Sequence, residues 1–334
     1  MTPIKANCFF FNPVFRDSAA SHAVKTLAKR RAYLSLYNVY QLEGAMTALA
    51  DIQNFKITKL TEHVGAEVTG IDLRDPLDPK TLQALNDAIV DNVALVFRGQ
   101  QLTPAELLKA VGQFGELMPD QNQRYVVEGL PLVSVLSNRH KDSTGKQAKI
   151  AKNANWHTDH TNQEFPPKFT TLYGVDVPSK GGGTSVCNMN AAFEALPEDI
   201  KVRITPMKTT NTLMSSTRYD SANPDIAREQ QTSTKPPMVQ PLVRTHPERG
   251  TKAIYFHKGK VETVADMDPF ESQDFLADLL DTALKPEFIY VHEWKAGDLL
   301  FIDNRTAMHK AGFDYDPAEH RHLHRVLVRG DRPF

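Results

Sequence analysis

Cysteine is nearly absent from this chain, and so is any excess of charge of one sign. Only Cys8 and Cys187 occur in 334 residues, too few and too far apart for a zinc spacing or a disulfide framework. Both read as free thiols in a reducing compartment, and a cytoplasmic location is expected. Thirty-nine Lys and Arg against 40 Asp and Glu leave a formal net charge of −1, without the basic footprint of a nucleic-acid binder or of a protein held at an anionic membrane. No apolar run is long enough to span a bilayer. What is present is 41% hydrophobic and 24% charged residues, enough apolar material for a sizeable core. The partner expected is a small molecule, with assembly into a homo-oligomer left open. The length suits two average domains or one large β-rich domain with insertions.

Residues 1–50 differ from the rest. Lys5, Arg16, Lys25, Lys29, Arg30 and Arg31 are opposed before residue 40 only by Asp17, and Ser and Ala are frequent. This is the composition of an organelle transit peptide, or of a basic extension preceding a domain of residues 51–334. From Phe55 the pattern becomes regular. Phe55–Leu60 alternates as a strand does, and Gly65–Gly70 is a β-segment bounded by glycine. Three helices are announced by an acceptor cap followed by proline: Asp78-Pro79, running to about Asn92, Thr103-Pro104-Ala105-Glu106 and Asp268-Pro269-Phe270-Glu271. Strands are expected at 93–97, 170–177, 238–245, 252–257, 287–294, 299–302 and 323–329, where β-branched and aromatic residues cluster. Helices are too few for repeated βαβ units. The expected fold is therefore mainly β with flanking helices, an antiparallel jelly roll. The polar stretch 205–237, rich in Ser, Thr, Asn and Lys, reads as a long loop or a lid over a site.

The chemistry is concentrated in Asn155-Trp156-His157-Thr158-Asp159-His160. On an extended backbone residues i and i+2 face one side, so His157 and Asp159 can aim an imidazole nitrogen and a carboxylate oxygen at one point. Alone the pair is common. A third ligand is offered by His309, which follows the apolar strand 299–302 and Asp303-Asn304-Arg305. Two histidines and a carboxylate on one face of an octahedron leave three positions open, the arrangement of non-haem iron(II) oxygenases. Zinc favours a closed tetrahedral site or a single open position. Further on, His320-Arg321-His322-Leu323-His324-Arg325 alternates so that Arg321 and Arg325 share one face and the three histidines the other. An arginine facing a barrel interior is costly unless it meets an anion, and a dicarboxylate co-substrate supplies one. Two other readings stand beside this one, a metal site at the three histidines and arginines exposed on an edge strand.

These elements together resemble the taurine dioxygenase-like (TauD/TfdA) family of iron(II)- and 2-oxoglutarate-dependent dioxygenases, from about Phe55 to Phe334. The matching elements are Phe114-Gly115-Glu116-Leu117, Trp156-His157-Thr158-Asp159, Gly181-Gly182-Gly183-Thr184, Arg244-Thr245-His246-Pro247, Asp303-Asn304-Arg305 with His309, and Arg321 with Arg325. The resemblance implies a double-stranded β-helix of cupin type, iron(II) on His157, Asp159 and His309, and 2-oxoglutarate and dioxygen as co-substrates. It further implies that Arg321 and the Thr184 hydroxyl hold the distal carboxylate of 2-oxoglutarate. Arg325 then reaches the other end of the co-substrate or an anionic group on the substrate, and Asn153 lies beside the substrate. Hydroxylation of a small organic molecule with release of succinate and CO2 follows. Halogenation is disfavoured, because Asp159 fills the position that a halide would need. His246 is assigned a structural role beside its proline. One departure stands out. Where taurine dioxygenase carries a substrate-binding histidine after Phe-Gly-Glu-Leu, this chain has Met118, Pro119 and Asp120, so Asp120 is expected to face the substrate and to disfavour a sulfonate. The alternatives from other classes are a cupin-like zinc hydrolase and a non-catalytic binding barrel.

Overall fold

The structure, a computed structural model, describes residues 55–141, 155–216 and 236–334. The first strands are β1 (Lys56–Lys59), β2 (Ala66–Thr69), β3 (Ala94–Phe97), β4 (Leu117–Met118), β5 (Val126–Val127), β6 (Leu130–Ser137), β7 (Pro167–Asp176) and β8 (Thr184–Asn188). There follow β9 (Lys208–Asn211), β10 (Met238–Pro241), β11 (Val243–Thr245), β12 (Lys252–Ile254) and β13 (Val261–Val264). The last four are β14 (Ile289–His292), β15 (Leu299–Asp303), β16 (Ala307–Ala311) and β17 (His322–Arg329). One large sheet has the order β1-β2-β3-β15-β7-β17-β6-β5, with β4 also pairing β17, and a smaller sheet has the order β14-β8-β16. All pairs are antiparallel except β2 with β3. The two sheets face each other as a jelly roll.

Three of the helices start as their caps dictate. In α1 (Pro79–Asn92) the Asp78 carboxylate accepts from the Lys80 and Thr81 amides. Helices α2 (Pro104–Gly112) and α5 (Pro269–Ala283) open on complete capping boxes, Thr103 with Glu106 and Asp268 with Glu271. Two short helices, α3 (Met189–Glu194) and α4 (Glu198–Ile204), were not announced by the sequence pattern, nor was β6. The expected strand at 238–245 is two strands, because the chain changes partner at Leu242: β10 pairs β9 and β11 pairs β12. The expected strand at 287–294 opens as a 3-10 turn, Pro286–Phe288, before β14. The polar stretch 205–237 is not loop throughout. Lys208–Asn211 forms β9, with Thr209 and Asn211 buried between β10 and β13, while 217–235 lie outside the described residues, as does the basic segment 1–50.

Burial on both faces explains why β15 reads as an unbroken apolar run. Leu299 and Phe301 point into a cluster with Leu85 and Ile89 of α1 and Leu107 and Val111 of α2. Leu300 and Ile302 point the other way, between the sheets, against Leu172, Val186, Ala307 and Leu323. A third cluster lies behind the small sheet, where Met308, Cys187 and Phe256 meet Phe193 of α3 and Leu276 and Leu280 of α5. Cys187 is an unpaired buried thiol whose pKa burial pushes up to about 12. Cys8 lies outside the described residues. No helix among the described residues is long and apolar enough to cross a membrane.

Candidate active site

The small sheet is widened by a segment that belongs to no regular strand. His157 pairs with His309 on β16 and with His257 on its other side. The His157 N–H donates to the His309 carbonyl at 3.1 Å and the His309 N–H returns to the His157 carbonyl at 2.8 Å. Thr158 fastens the same segment, its hydroxyl donating to the Ala307 carbonyl at 2.7 Å and its N–H to the Phe256 carbonyl at 3.1 Å. Two imidazoles thus start from directly opposed backbone positions, and Asp159 follows two residues on. Its Oδ1 lies 3.6 Å from His157 Nε2 and its Oδ2 lies 3.8 Å from His309 Nε2. Ligand atoms of the three lie within 4.8 Å of one another, and no other group of three or more His, Cys, Asp or Glu converges in this way among the described residues.

The protonation states suit a divalent cation. His157 Nδ1 is 2.8 Å from the Asn155 carbonyl, so that nitrogen carries the hydrogen and the Nε2 lone pair is left facing Asp159. Burial depresses the His157 pKa, and burial together with the adjacent His157 brings His309 down to about 3. Burial alone would raise the Asp159 pKa, but Arg325, His309 and His157 outweigh it and hold the carboxyl well below the usual range. Two neutral imidazoles and an ionised carboxylate are the donor set that metal binding needs. The carboxylate is held from behind. The Thr170 hydroxyl on β7 donates to Asp159 Oδ2 at 2.6 Å and accepts from Asn304 Nδ2 at 2.6 Å, and Asn304 Oδ1 accepts the Asp159 N–H at 3.4 Å.

Asp303-Asn304-Arg305 therefore supports the site without lining it. Arg305 grips Asp303 through Nε at 2.9 Å and Nη2 at 2.8 Å and reaches Glu248. His246 Nδ1 accepts the Glu248 and Arg249 amides, each at 3.2 Å, so Nε2 carries the hydrogen and donates to Asp303 Oδ2 at 3.2 Å. This is a structural tie beneath the Asn304 turn.

A pocket of about 280 Å³ opens beside the triad, lined by Arg321, Arg325, Asp120, Ser134, Asn138 and Tyr315 among others. Arg321, just before β17, is buried, and its Nε donates to the Gly182 carbonyl at 2.8 Å. That approach needs the glycines: Gly181 and Gly182 have φ of +74° and +66°, and a Cβ on Gly181 would collide with the Asp314 carbonyl. Burial lowers the Arg321 pKa, with Tyr315 acting the other way, and no ion pair to a carboxylate forms among the described residues. Arg325 is different. Its Nη2 is ion-paired to Asp120 Oδ2, and Nη1 lies 3.7 Å from Asp159 Oδ1.

The other sequence-derived candidates fall as follows. Thr184 is buried at the start of β8, where its oxygen accepts from Trp294 Nε1 at 3.0 Å, and it is not among the residues lining the pocket. Asn153 lies outside the described residues. Asp120 is not a lone acid facing the pocket, since besides Arg325 it has His160 Nε2 3.3 Å from Oδ1. The three alternating histidines form no metal cluster among the described residues. His320 is tied to Asp176 at 3.0 Å and to the Ser137 hydroxyl at 2.9 Å, and the rings of His320, His322 and His324 follow one another at 5.3 and 5.0 Å. Thr170, Asn304 and His160 are the contributors that sequence reasoning left without a role. Asn304 and His160 flank recognised motif residues, whereas a threonine within an apolar strand gives no signal.

A jelly roll carrying two histidines and a carboxylate beside an arginine-lined pocket defines a mononuclear non-haem dioxygenase. Residues 56–327 match the family described as "Taurine catabolism dioxygenase TauD, TfdA family", and the chain belongs to it. It is 31% identical over 277 residues to an alpha-ketoglutarate-dependent 2,4-dichlorophenoxyacetate dioxygenase of Cupriavidus pinatubonensis, covering 80% of this chain and 94% of that one. It is 30% identical to an alkylsulfatase of Acinetobacter baylyi, covering 84% and 86% of the two chains. Among solved structures it resembles a putative alpha-ketoglutarate-dependent taurine dioxygenase of Burkholderia xenovorans, with TM-score 0.67, 30% identity, and 84% and 91% of the two chains covered. It also resembles AAD-2 in complex with Mn(II) and N-oxalylglycine, with TM-score 0.68, 30% identity, and 84% and 99% covered. Dioxygenases of this family use iron(II), 2-oxoglutarate and dioxygen, and the protein is an oxidoreductase of that class. The zinc hydrolase and the non-catalytic barrel are thereby set aside.

Proposed function

We propose that His157, Asp159 and His309 hold the iron(II) of a 2-oxoglutarate-dependent hydroxylase, and that Arg321 grips the distal carboxylate of 2-oxoglutarate. The supporting observation is the convergence of two neutral imidazoles and an ionised carboxylate beside a buried guanidinium that has no carboxylate partner among the described residues. Iron, 2-oxoglutarate and dioxygen supply the oxidation, in which 2-oxoglutarate loses CO2 to give succinate and a substrate C–H becomes C–OH. The chain supplies the rest. Thr170 and Asn304 fix the Asp159 carboxylate, and the Asn155 carbonyl fixes the tautomer of His157. Arg321 offers a planar fork that matches a carboxylate through two parallel hydrogen bonds. Thr184, whose oxygen accepts from Trp294 Nε1, is the further hydroxyl that belongs to this reading. Asp159 remaining in place keeps the reaction to hydroxylation.

The substrate belonging to this reading is a small organic molecule that is neutral, cationic or zwitterionic. Relatives are named for 2,4-dichlorophenoxyacetate and (S)-phenoxypropionate, both carboxylates, so a difference in headgroup is part of the proposal. Residues 1–50 as a basic extension, 51–334 as the catalytic domain and a cytoplasmic location also belong to it. The test is anaerobic addition of iron(II) and 2-oxoglutarate to the purified protein, which is expected to give a weak visible charge-transfer band. His309→Ala is expected to abolish both the band and succinate formation. Retention of both would assign the metal elsewhere.

A further inference from the structure

Two guanidiniums line one pocket and are treated oppositely by the chain. Arg321 makes a hydrogen bond to a backbone carbonyl and has no acid beside it among the described residues. Arg325, four residues on and on the same side of β17, is ion-paired to Asp120, with Asp159 3.7 Å away on its other nitrogen. Asp120 belongs to the segment that follows β4, remote in sequence from β17, and its side chain is only 5% exposed. Its second oxygen faces His160, which is also buried. Nothing about the pair resembles a surface ion bridge.

We propose that Asp120 is a specificity-determining residue, an internal carboxylate that fills the anion position on Arg325, so that the substrate presents an uncharged hydrogen-bond acceptor there and a carboxylate or sulfonate is refused. The inference rests on the proposed site, because it takes the space in front of Asp159 and Arg325 to be where substrate is held. An incoming anion would have to displace Asp120, leaving a buried carboxylate without its cation, or else lie against the Asp120 charge. Either event disfavours the anion by roughly 100-fold or more in affinity. A neutral acceptor pays neither cost. Arg325 retains one buried N–H, on Nε, with no partner among the described residues, which such an oxygen can take. One other cation lies near His157. The Lys260 ammonium is engaged with Gln121 Oε1 at 2.9 Å and the Leu213 carbonyl at 3.0 Å.

The experiment compares an isosteric pair of probes, phenoxyacetate and phenoxyacetamide, titrated calorimetrically against the anaerobic protein with iron(II) and 2-oxoglutarate. Parent protein is expected to bind the amide at least about tenfold more tightly than the acid. In Asp120→Asn, and again in Asp120→Ala, affinity for the acid should rise by about tenfold or more while that for the amide holds, because the guanidinium is released to meet an anion. The double variant Asp120→Asn with Arg325→Met should lose that gain, and it removes both buried charges together, so it carries the test if a single variant does not fold. Dissociation of 2-oxoglutarate should stay within about threefold of the parent in Asp120→Asn. The proposal is overturned if neither single variant gains affinity for the acid, if the gain survives Arg325→Met, or if Asp120→Asn tightens 2-oxoglutarate instead. Absence of the charge-transfer band in the parent would count against the iron assignment alone, and the probe titration on metal-free protein still reads the Asp120 effect.

Discussion

At the scale of single residues, Arg321 carries the most testable claim about the co-substrate. It is buried, its charge has no acid beside it among the described residues, and its Nε is fixed by the Gly182 carbonyl, so the two Nη groups are left for a carboxylate. Arg321→Ala should weaken 2-oxoglutarate binding by about 2–5 kcal/mol, roughly 30-fold to several-thousand-fold. Arg321→Lys should recover only part of this, because an ammonium cannot form the parallel pair of bonds. The dissociation constant measured without oxygen reads both, and an unchanged constant in Arg321→Ala would remove the assignment. That His157 and Asp159 face one point and that Arg321 and Arg325 face one pocket was legible in the sequence because an i, i+2 pair and an alternating strand fix direction. Their supports were not. Thr170 lies in an apolar strand, and its role comes from Asp159 and Asn304, which meet it only after the chain has crossed between sheets. The pairing of Asp120 with Arg325 was hidden for the same reason: the sequence shows an acid after Phe-Gly-Glu-Leu, but its neutralising partner is 205 residues away.

At the scale of elements, what could be read was what is decided locally. The helices with proline at N1 start where their caps indicate, since each cap satisfies amides within three residues. Asp268→Ala removes the side-chain half of the α5 capping box, leaving Glu271 on the N–H of residue 268, and should lower stability by about 1 kcal/mol, measurable as a shift in the urea midpoint with no change in slope. A shift within error would mean that packing of Leu276 and Leu280 alone holds the end of that helix. Strand partners were not legible. The run at 238–245 looks continuous, yet Leu242 turns into the core, its N–H donating to the Met207 carbonyl and its own carbonyl accepting from Tyr255, and the two halves join different sheets. Short β9 escaped notice because two of its four residues are polar side chains buried against neighbours supplied by the fold.

At the scale of the whole molecule, buried histidines couple stability to pH. A histidine whose folded pKa is depressed takes up its proton more readily in the unfolded chain, so stability is full above the ordinary value and is lost as pH falls below it. His309 is brought to about 3 by burial and by His157, and His324 to about 4 by burial and by His322, both from 6.5. In metal-free protein each should therefore make stability fall with falling pH between pH 6 and 5, by on the order of 1 kcal/mol per pH unit. Below about pH 4 the depressed carboxylates Asp120 and Asp303 add to the loss in the same direction. Urea midpoints at pH 7, 6 and 5 should fall steadily, and a flat or rising series would contradict the burial of these rings.

The reciprocal hydrogen bonds between the His157 and His309 backbones have a consequence for how the enzyme is assembled. Those bonds, with the Thr158 ties and the Thr170 clasp on Asp159, run between groups of the polypeptide itself. If these residues hold the iron, the cradle is expected to stand without it, so that the metal is taken up and surrendered without collapse. A chelator should strip activity while leaving the far-ultraviolet circular dichroism unchanged. The thermal midpoint should fall only by what mass action removes, about 2.7 kcal/mol of stabilisation for metal held at a hundred times its dissociation constant. Re-addition of iron(II) should restore turnover within mixing time, with no refolding phase. Loss of the dichroism spectrum on chelation would instead mean that this cradle is built around its metal.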